Sequence, residues 1–227
     1  RAYWRRYRPR EWLFVGGRMG LNYVPFKVGV STNNGAAWAV HLPYLTGSPN
    51  FGGMTAQPIN SAFRAPGGAM YLAMDGGGSD SFLWRSLDNG ITWNDQLGRT
   101  SGRHSTIVPL DGSGNLLSYG GKNSQINGYM PQNLSANWGA TWNTPPQSPF
   151  PQLRANQRPS LWRLTNGKLV MVGDSQLKGT TTPPAGWTNG PGAYVAISAD
   201  NGSTWRIKSL PVTLPHESDK LAGTLGY

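Results

Sequence analysis

The segment GRHSTIVPLDGSGNLLSYGGKNSQINGYMP, residues 102–131, carries the densest set of reactive side chains in the chain. It holds Arg103, His104, Lys122, Asn123 and Tyr129. An imidazole exchanges its proton near neutral pH, and a phenol can donate one. Guanidinium, ammonium and amide groups together hold a carboxylate. Such a set suits acid–base work on an anionic sugar, or its binding, better than an apolar ligand. The bland alternative is a His104 that is only a hydrogen-bonded residue of a strand.

These residues do something together only if the chain brings them to one place, and a repeat supplies the means. SLDNGITW (Ser86 to Trp93) recurs as SADNGSTW (Ser198 to Trp205), and in relaxed form as STNNGAAW (Ser31 to Trp38) and SANWGATW (Ser135 to Trp142). The boxes begin at 31, 86, 135 and 198, a recurrence of roughly 50 to 60 residues, the size of a four-stranded propeller blade. Upstream of each box lie strand-like segments separated by turns, such as PSLWRLTNGKLVMVGD with Asn166-Gly167 at its turn. A third strand leads into each box (FKVGVS, SFLWRS, YMPQNLS, AYVAIS), and a fourth begins at or after the Trp. The first strand of the first unit is either absent or hidden in residues 1–10. The expected units are about 1–45, 58–100, 103–150 and 157–212, with 213–227 opening a further one, all in a single domain. In each box the Asp is expected to hold the turn by accepting amide hydrogen bonds, a task that Asn33 and Asn137 can share.

Composition agrees. Of 227 residues only 13% are charged, 31 are Gly and 18 are Pro, which is poor material for helices and good material for short strands and turns. The net charge of +10 calls for an anionic partner. The Arg- and aromatic-rich opening RAYWRRYRPR is short and runs directly into an apolar strand, so no nucleic acid is expected. No apolar run is long enough to span a membrane, so no membrane partner is expected. There is no Cys, and the three His have no metal-ligand spacing, so no metal or cofactor is expected, a structural calcium on turn carboxylates aside.

Strand parity then sorts the rims. The boxes lie on one rim. The second-to-third turns and the connections between units lie on the other, with Arg18, Asn60, Asp75, Arg103, His104, Lys122, Asn123, Tyr129, Arg158, Asp174, His216, Glu217 and Tyr227. The insertion from Ser175 to Pro191 falls on that rim too, and its Trp187 could wall a sugar subsite.

The pattern SxDxGxTW resembles the Asp-box (BNR) repeat of sialidases and related β-propellers. The resemblance spans nearly the whole chain, with two full and two degenerate copies. It implies an all-β fold of four-stranded antiparallel blades, about four of them present, from a propeller of six or seven. It also implies an enzyme cleaving glycosidic bonds of acidic glycans. A sialidase-type site would make Glu217 and Tyr227 the activating carboxylate and nucleophile, with Asp174 or Asp75 as the acid. Arg158, in QRPSL, weakly matches that family's Arg-x-Pro element, while the arginine triad is not locatable. Some ulvan lyases resemble these repeats as well. That likeness implies His104 as base, Tyr129 or Tyr227 as acid, and Arg158 with Asn123 as carboxylate neutralisers. Arg103, Lys122 and His216 complete the expected substrate contacts. A non-catalytic glycan-binding propeller is the third reading. The expected location is secreted or periplasmic, although no signal peptide is visible.

Overall fold

The structure, a computed structural model, describes residues 2–8, 11–16, 27–41, 44–46, 57–75, 79–153, 159–175 and 192–210. Among them there is no helix, and the chain forms four sheets in sequence order. The first contains β1 (Ala2–Arg8), β2 (Glu11–Gly16), β3 (Lys27–Ser31) and β4 (Ala39–His41). The first strand of this unit is therefore present, inside the basic opening segment. A short β5 (Tyr44–Thr46) follows. The second sheet is built from β6 (Gln57–Arg64), β7 (Met70–Asp75), β8 (Asp80–Ser86) and β9 (Thr92–Asp95). After β10 (Thr100–Ser101), the third has β11 (Thr106–Pro109), β12 (Leu116–Tyr119), β13 (Tyr129–Ser135) and β14 (Gln147–Pro151). The fourth has β15 (Ser160–Arg163), β16 (Leu169–Ser175), β17 (Gly192–Ser198) and β18 (Arg206–Ser209).

Within each sheet these four strands pair antiparallel in order. The second sheet departs from that plan. β5 pairs parallel along β9, and β10 adds to β8. An outer strand presents unpaired amides and carbonyls, and the connector from the first sheet covers them. Nothing in the residues 44–46 announces this, because a three-residue strand carries no alternation. The Asn166-Gly167 hairpin also differs in detail. Leu164 and Lys168 close a three-residue loop in which only Gly167 has positive φ, rather than a two-residue turn with both residues left-handed.

The register is the same throughout. Trp12, Met70, Leu116 and Leu169 of the second strands pair with Ser31, Ser86, Ser135 and Ser198, the first residues of the four boxes. Each box folds on itself alike. The amides of Gly35, Gly90, Gly139 and Gly202 donate to the box Ser Oγ at 2.8–2.9 Å. Oδ1 of Asn33, Asp88, Asn137 or Asp200 accepts the amide four residues on, at 2.8–2.9 Å. The amide does the same work as the carboxylate, so the box Asp is a turn-former.

Three apolar clusters lie between successive sheets. Val28 of the first joins Met70, Leu72, Phe82, Trp84 and Trp93 of the second. Phe63, Tyr71 and Leu83 of the second join Ile107 and Leu116 of the third. Leu117, Tyr119 and Phe150 of the third join Leu169, Met171 and Tyr194 of the fourth. The box glycines lie at these seams. A Cβ on Gly90 would touch Val28 at 3.2 Å, on Gly139 Leu83 at 2.7 Å, and on Gly202 Leu117 at 2.6 Å. The boxes of the second, third and fourth sheets thus each wedge into the sheet before. The fourth sheet has Val172 at 39% and Ile197 at 45% exposure, whereas Tyr119, the register counterpart of Val172 in the third, is fully buried.

The first strands are joined by side-chain hydroxyls. Ser61 Oγ accepts from the Ile107 amide at 2.7 Å, and Thr106 Oγ1 accepts from the Leu161 amide at 2.9 Å. Ser61, Thr106 and Ser160 occupy the same register position, three residues before Arg64, Pro109 and Arg163.

Two outcomes follow from the boxes. Gly202→Ala should destabilise the protein more than Gly68→Ala. Both sites have positive φ, costing about 1–2 kcal/mol for Ala, but only Gly202 adds a clash with Leu117, worth about 1–3 kcal/mol. Urea denaturation of the two variants checks the order. Hydrogen bonds from the Thr204 hydroxyl, the Thr204 amide and Ser198 hold the Asp200 carboxyl down to about 2. The ionised form therefore stabilises the fold above the ordinary carboxylate range near pH 4, and that contribution is lost as pH falls towards about 2. Asp200→Asn should show a flatter loss of urea midpoint between pH 4 and 2 than the parent chain.

Candidate functional site on the rim opposite the boxes

The second strand of the second sheet ends in Asp75, and the third sheet's first strand begins just after His104. Both points lie on the rim opposite the boxes. Asp75 is 1% exposed and His104 2%. The His104 amide donates to Asp75 Oδ1 at 2.6 Å, and His104 Nε2 lies 3.3 Å from Oδ2. Arg103 brings a guanidinium nitrogen to 3.7 Å from the same Oδ2. One buried carboxylate thus faces a backbone amide, an imidazole and a guanidinium, which is how a charge is made tolerable inside a protein.

The backbone is bent to achieve this. His104 has φ of 57°, in the left-handed region that a bulky residue avoids at about 1–2 kcal/mol. The hydrogen bond to Asp75 holds it there. Arg103 exchanges both backbone hydrogen bonds with Lys122, at 2.8 Å each. The third sheet's second strand therefore crosses directly beneath, with Gly121 at the crossing. Any Cβ on Gly121 would come within 2.5 Å of the Arg103 carbonyl and 2.7 Å of that of His104. Below lies a layer of buried hydroxyls. Ser81 and Ser105 both donate to the Gly102 carbonyl, at 3.0 and 2.8 Å. The Ser101 amide donates to Asn133 Oδ1 at 3.1 Å, tying the connector to β13.

Around this cluster stand the other expected residues of the third sheet. Lys122 is half-buried, Asn123 is exposed with φ of 66°, and Tyr129 is 5% exposed at the start of β13. All three lie on the 120–129 connection at the same rim as His104. Asp174 occupies in the fourth sheet the position that Asp75 has in the second, each five residues after the partner of the box Ser. Its neighbour is Tyr194, whose phenol is pushed up by burial first and then by the Asp174 charge. Arg18, Arg158, Trp187, His216, Glu217 and Tyr227 lie outside the described residues, and so does the Glu217–Tyr227 pairing. The side chain of Asn60 does too.

Arg103 Nε is buried and has no hydrogen-bond partner among the described residues. Among the described residues no group of three His, Asp or Glu could hold a metal, and no helix is long and apolar enough to cross a membrane. Sequence reasoning placed Asp75 and His104 on one rim but missed their contact. The available signal was their shared parity: the end of one sheet's second strand next to the start of the following sheet's first.

No protein-family model matches the chain, and no curated protein matches it. Solved structures do. A protein of unknown function from Dyadobacter fermentans superposes with a TM-score of 0.63 at 12% identity, over 92% of this chain and 64% of that one. The α-L-arabinofuranosidase of Fusarium graminearum gives 0.58 at 14%, over 92% and 65%. A Hadza microbial sialidase gives 0.56 at 13%, over 86% and 42%. The chain thus spans less than two thirds of the length of each of these three structures. The likeness shows an all-β fold shared with glycoside hydrolases.

Asp75→Ala should leave the His104 amide without its acceptor and the imidazole without its carboxylate, all at full burial. A loss of about 2–4 kcal/mol is expected in urea unfolding, with a smaller loss for Asp75→Asn, which keeps one acceptor oxygen.

Proposed function

We propose that this chain is an arc of a sialidase-like β-propeller and acts on acidic glycans, breaking glycosidic bonds at the rim opposite the boxes. The observation that carries the reading is the buried Asp75–His104–Arg103 cluster. A left-handed His104 and a buried carboxylate are costly arrangements, and proteins keep such arrangements at working sites. The fold likeness to a sialidase and an arabinofuranosidase supports glycan cleavage as the activity class.

In this reading Arg103 binds the substrate carboxylate, with Lys122, Asn123, Tyr129, Arg158 and His216 as further contacts. Asp75 is a positioning residue, its oxygens facing His104 and Arg103, and Asp174 is assigned as the acid. Glu217 and Tyr227 supply the polarising carboxylate and nucleophile, giving a glycosyl–Tyr intermediate that water then hydrolyses. A secreted or periplasmic location suits such a substrate. The second reading, β-elimination from a uronate, draws on the 3.3 Å approach of Asp75 to His104 Nε2. A carboxylate there orients the imidazole and stabilises the imidazolium formed when it removes a proton.

The test is incubation with sialylated and uronate-containing glycans. Free sugar release and ultraviolet absorbance of unsaturated product are followed together. Sugar release without absorbance is the expected outcome, and Arg103→Ala should lower kcat/KM by about 10- to 100-fold, mainly through KM. Absorbance abolished by His104→Gln would establish elimination instead. Neither signal from the full chain would defeat both readings.

A further inference from the structure

A second place on the molecule combines cations with an aromatic wall. It lies on the box side, at the far end of the first strands from His104. There a cavity of about 280 Å³ is lined by Arg64, Pro66, Pro109, Asp111, Trp138 and Arg163, among others. This is close to the lower end of the ~300–1,000 Å³ range typical of ligand pockets, a size for one small polar ring.

Comparing the repeats with one another shows what is special here. Arg64, Pro109 and Arg163 hold the same register position, the last residue of the first strand in three successive sheets. In the second sheet Arg64 is fixed by hydrogen bonds to the Gly68 carbonyl at 2.6 Å and to Asn89 Oδ1 at 3.1 Å. Asn89 is the fourth residue of its box. The fourth sheet repeats the combination with Arg163 and Asn201. The third sheet replaces both members, with Pro109 and Trp138. An apolar step is thus set between two arginines.

Trp138 occupies this position against its own preference. Asn34, Asn89 and Asn201 have φ of 60°, 58° and 56°, a region that Asn tolerates. Trp138 has φ of 57°, where a bulky side chain costs about 1–2 kcal/mol. Its neighbours are shaped to keep it. The indole stacks on Tyr71 at 5.4 Å and 15°, and Tyr71 stacks on Phe63 at 5.1 Å and 16°. The Trp138 amide donates to the Gly114 carbonyl at 3.0 Å, and a Cβ on Gly114 would meet the ring at 2.9 Å. Asp111 is held in place by the Ser113 amide at 2.7 Å and by the Asn115 side chain.

We propose that this mouth is a second glycan-binding site, taking one carboxylated sugar unit. The sugar's C–H groups lie against Pro66, Pro109 and the part of Trp138 that lines the cavity. Arg64 and Arg163 bind its carboxylate, and Asp111 accepts from its hydroxyls. The site is separate from the rim that carries His104 and does not depend on any cleavage there. It would hold an acidic polysaccharide on the box face of the molecule.

Titration with D-glucuronate, D-galactose and acetate tests this, read by indole N–H resonances of the full chain labelled with nitrogen-15. Glucuronate should shift one indole signal saturably, and that signal should vanish in Trp138→Asn. Galactose and acetate should each bind at least about ten-fold more weakly, since neither engages both the wall and the arginines. Trp138→Asn restores the residue of the other boxes, and Arg163→Ala changes only an exposed side chain. Arg163→Ala should weaken glucuronate about ten-fold without altering the thermal midpoint. The proposal is overturned if glucuronate moves no indole signal, if acetate competes equally, or if folded Arg163→Ala binds as the parent does.

Discussion

Among the described residues successive sheets share no backbone ladder, so the inward edges of the first strands have amides that need acceptors. Hydroxyls supply them. Ser61 takes the Ile107 amide and Thr106 takes the Leu161 amide, while the two hydroxyls lie 3.3 Å apart. An amide left without a partner there would cost about as much as a lost buried hydrogen bond. A small side chain with a hydroxyl holds this position in the second, third and fourth sheets, with Ser160 continuing the series, whereas the first sheet has Tyr3 there. This chain of contacts fixes how the first strands sit relative to one another, and both rims inherit their geometry from it.

The box complements it at the periphery. Its internal hydrogen bonds close the third-to-fourth turn, and the glycine seats that turn against the preceding sheet. Trp205 shows the join: its Nε1 donates to the Gly202 carbonyl of its own box and to the Tyr119 hydroxyl of the sheet before. Burial and the Trp205 bond act oppositely on that phenol, and burial dominates, pushing it up. Because the boxes carry the framework on one side, the opposite rim can hold a left-handed His104 and a buried Asp75.

What the sequence made legible was whatever repeats. Strand order, the sharing of the turn task between Asp88 and Asn33, and the rim to which His104 belongs all come from counting residues within a repeat. What it hid is whatever depends on two repeats meeting. Asp75 and His104 are 29 residues apart, and nothing local in either segment requires their contact. The parallel strand Tyr44–Thr46 pairs with residues beyond the next first strand. Trp138 was visible as a letter departing from Asn at the fourth box position. Its meaning appears only once Tyr71 of another sheet lies beneath the indole and Arg64 and Arg163 flank it.

The seam between sheets is not two-fold. One side gives a box glycine and the other gives an apolar face such as Leu83 or Leu117, so donor and receiver are different surfaces. Heterologous contacts of this type do not end by themselves: they close into a ring or go on to another unit. In the fourth sheet Val172 is 39% exposed where its counterpart in the third, Tyr119, is covered, while Ile197 and its counterpart Leu134 are both exposed. The seam therefore has a direction, with the box glycine on the later sheet and the apolar face on the earlier one.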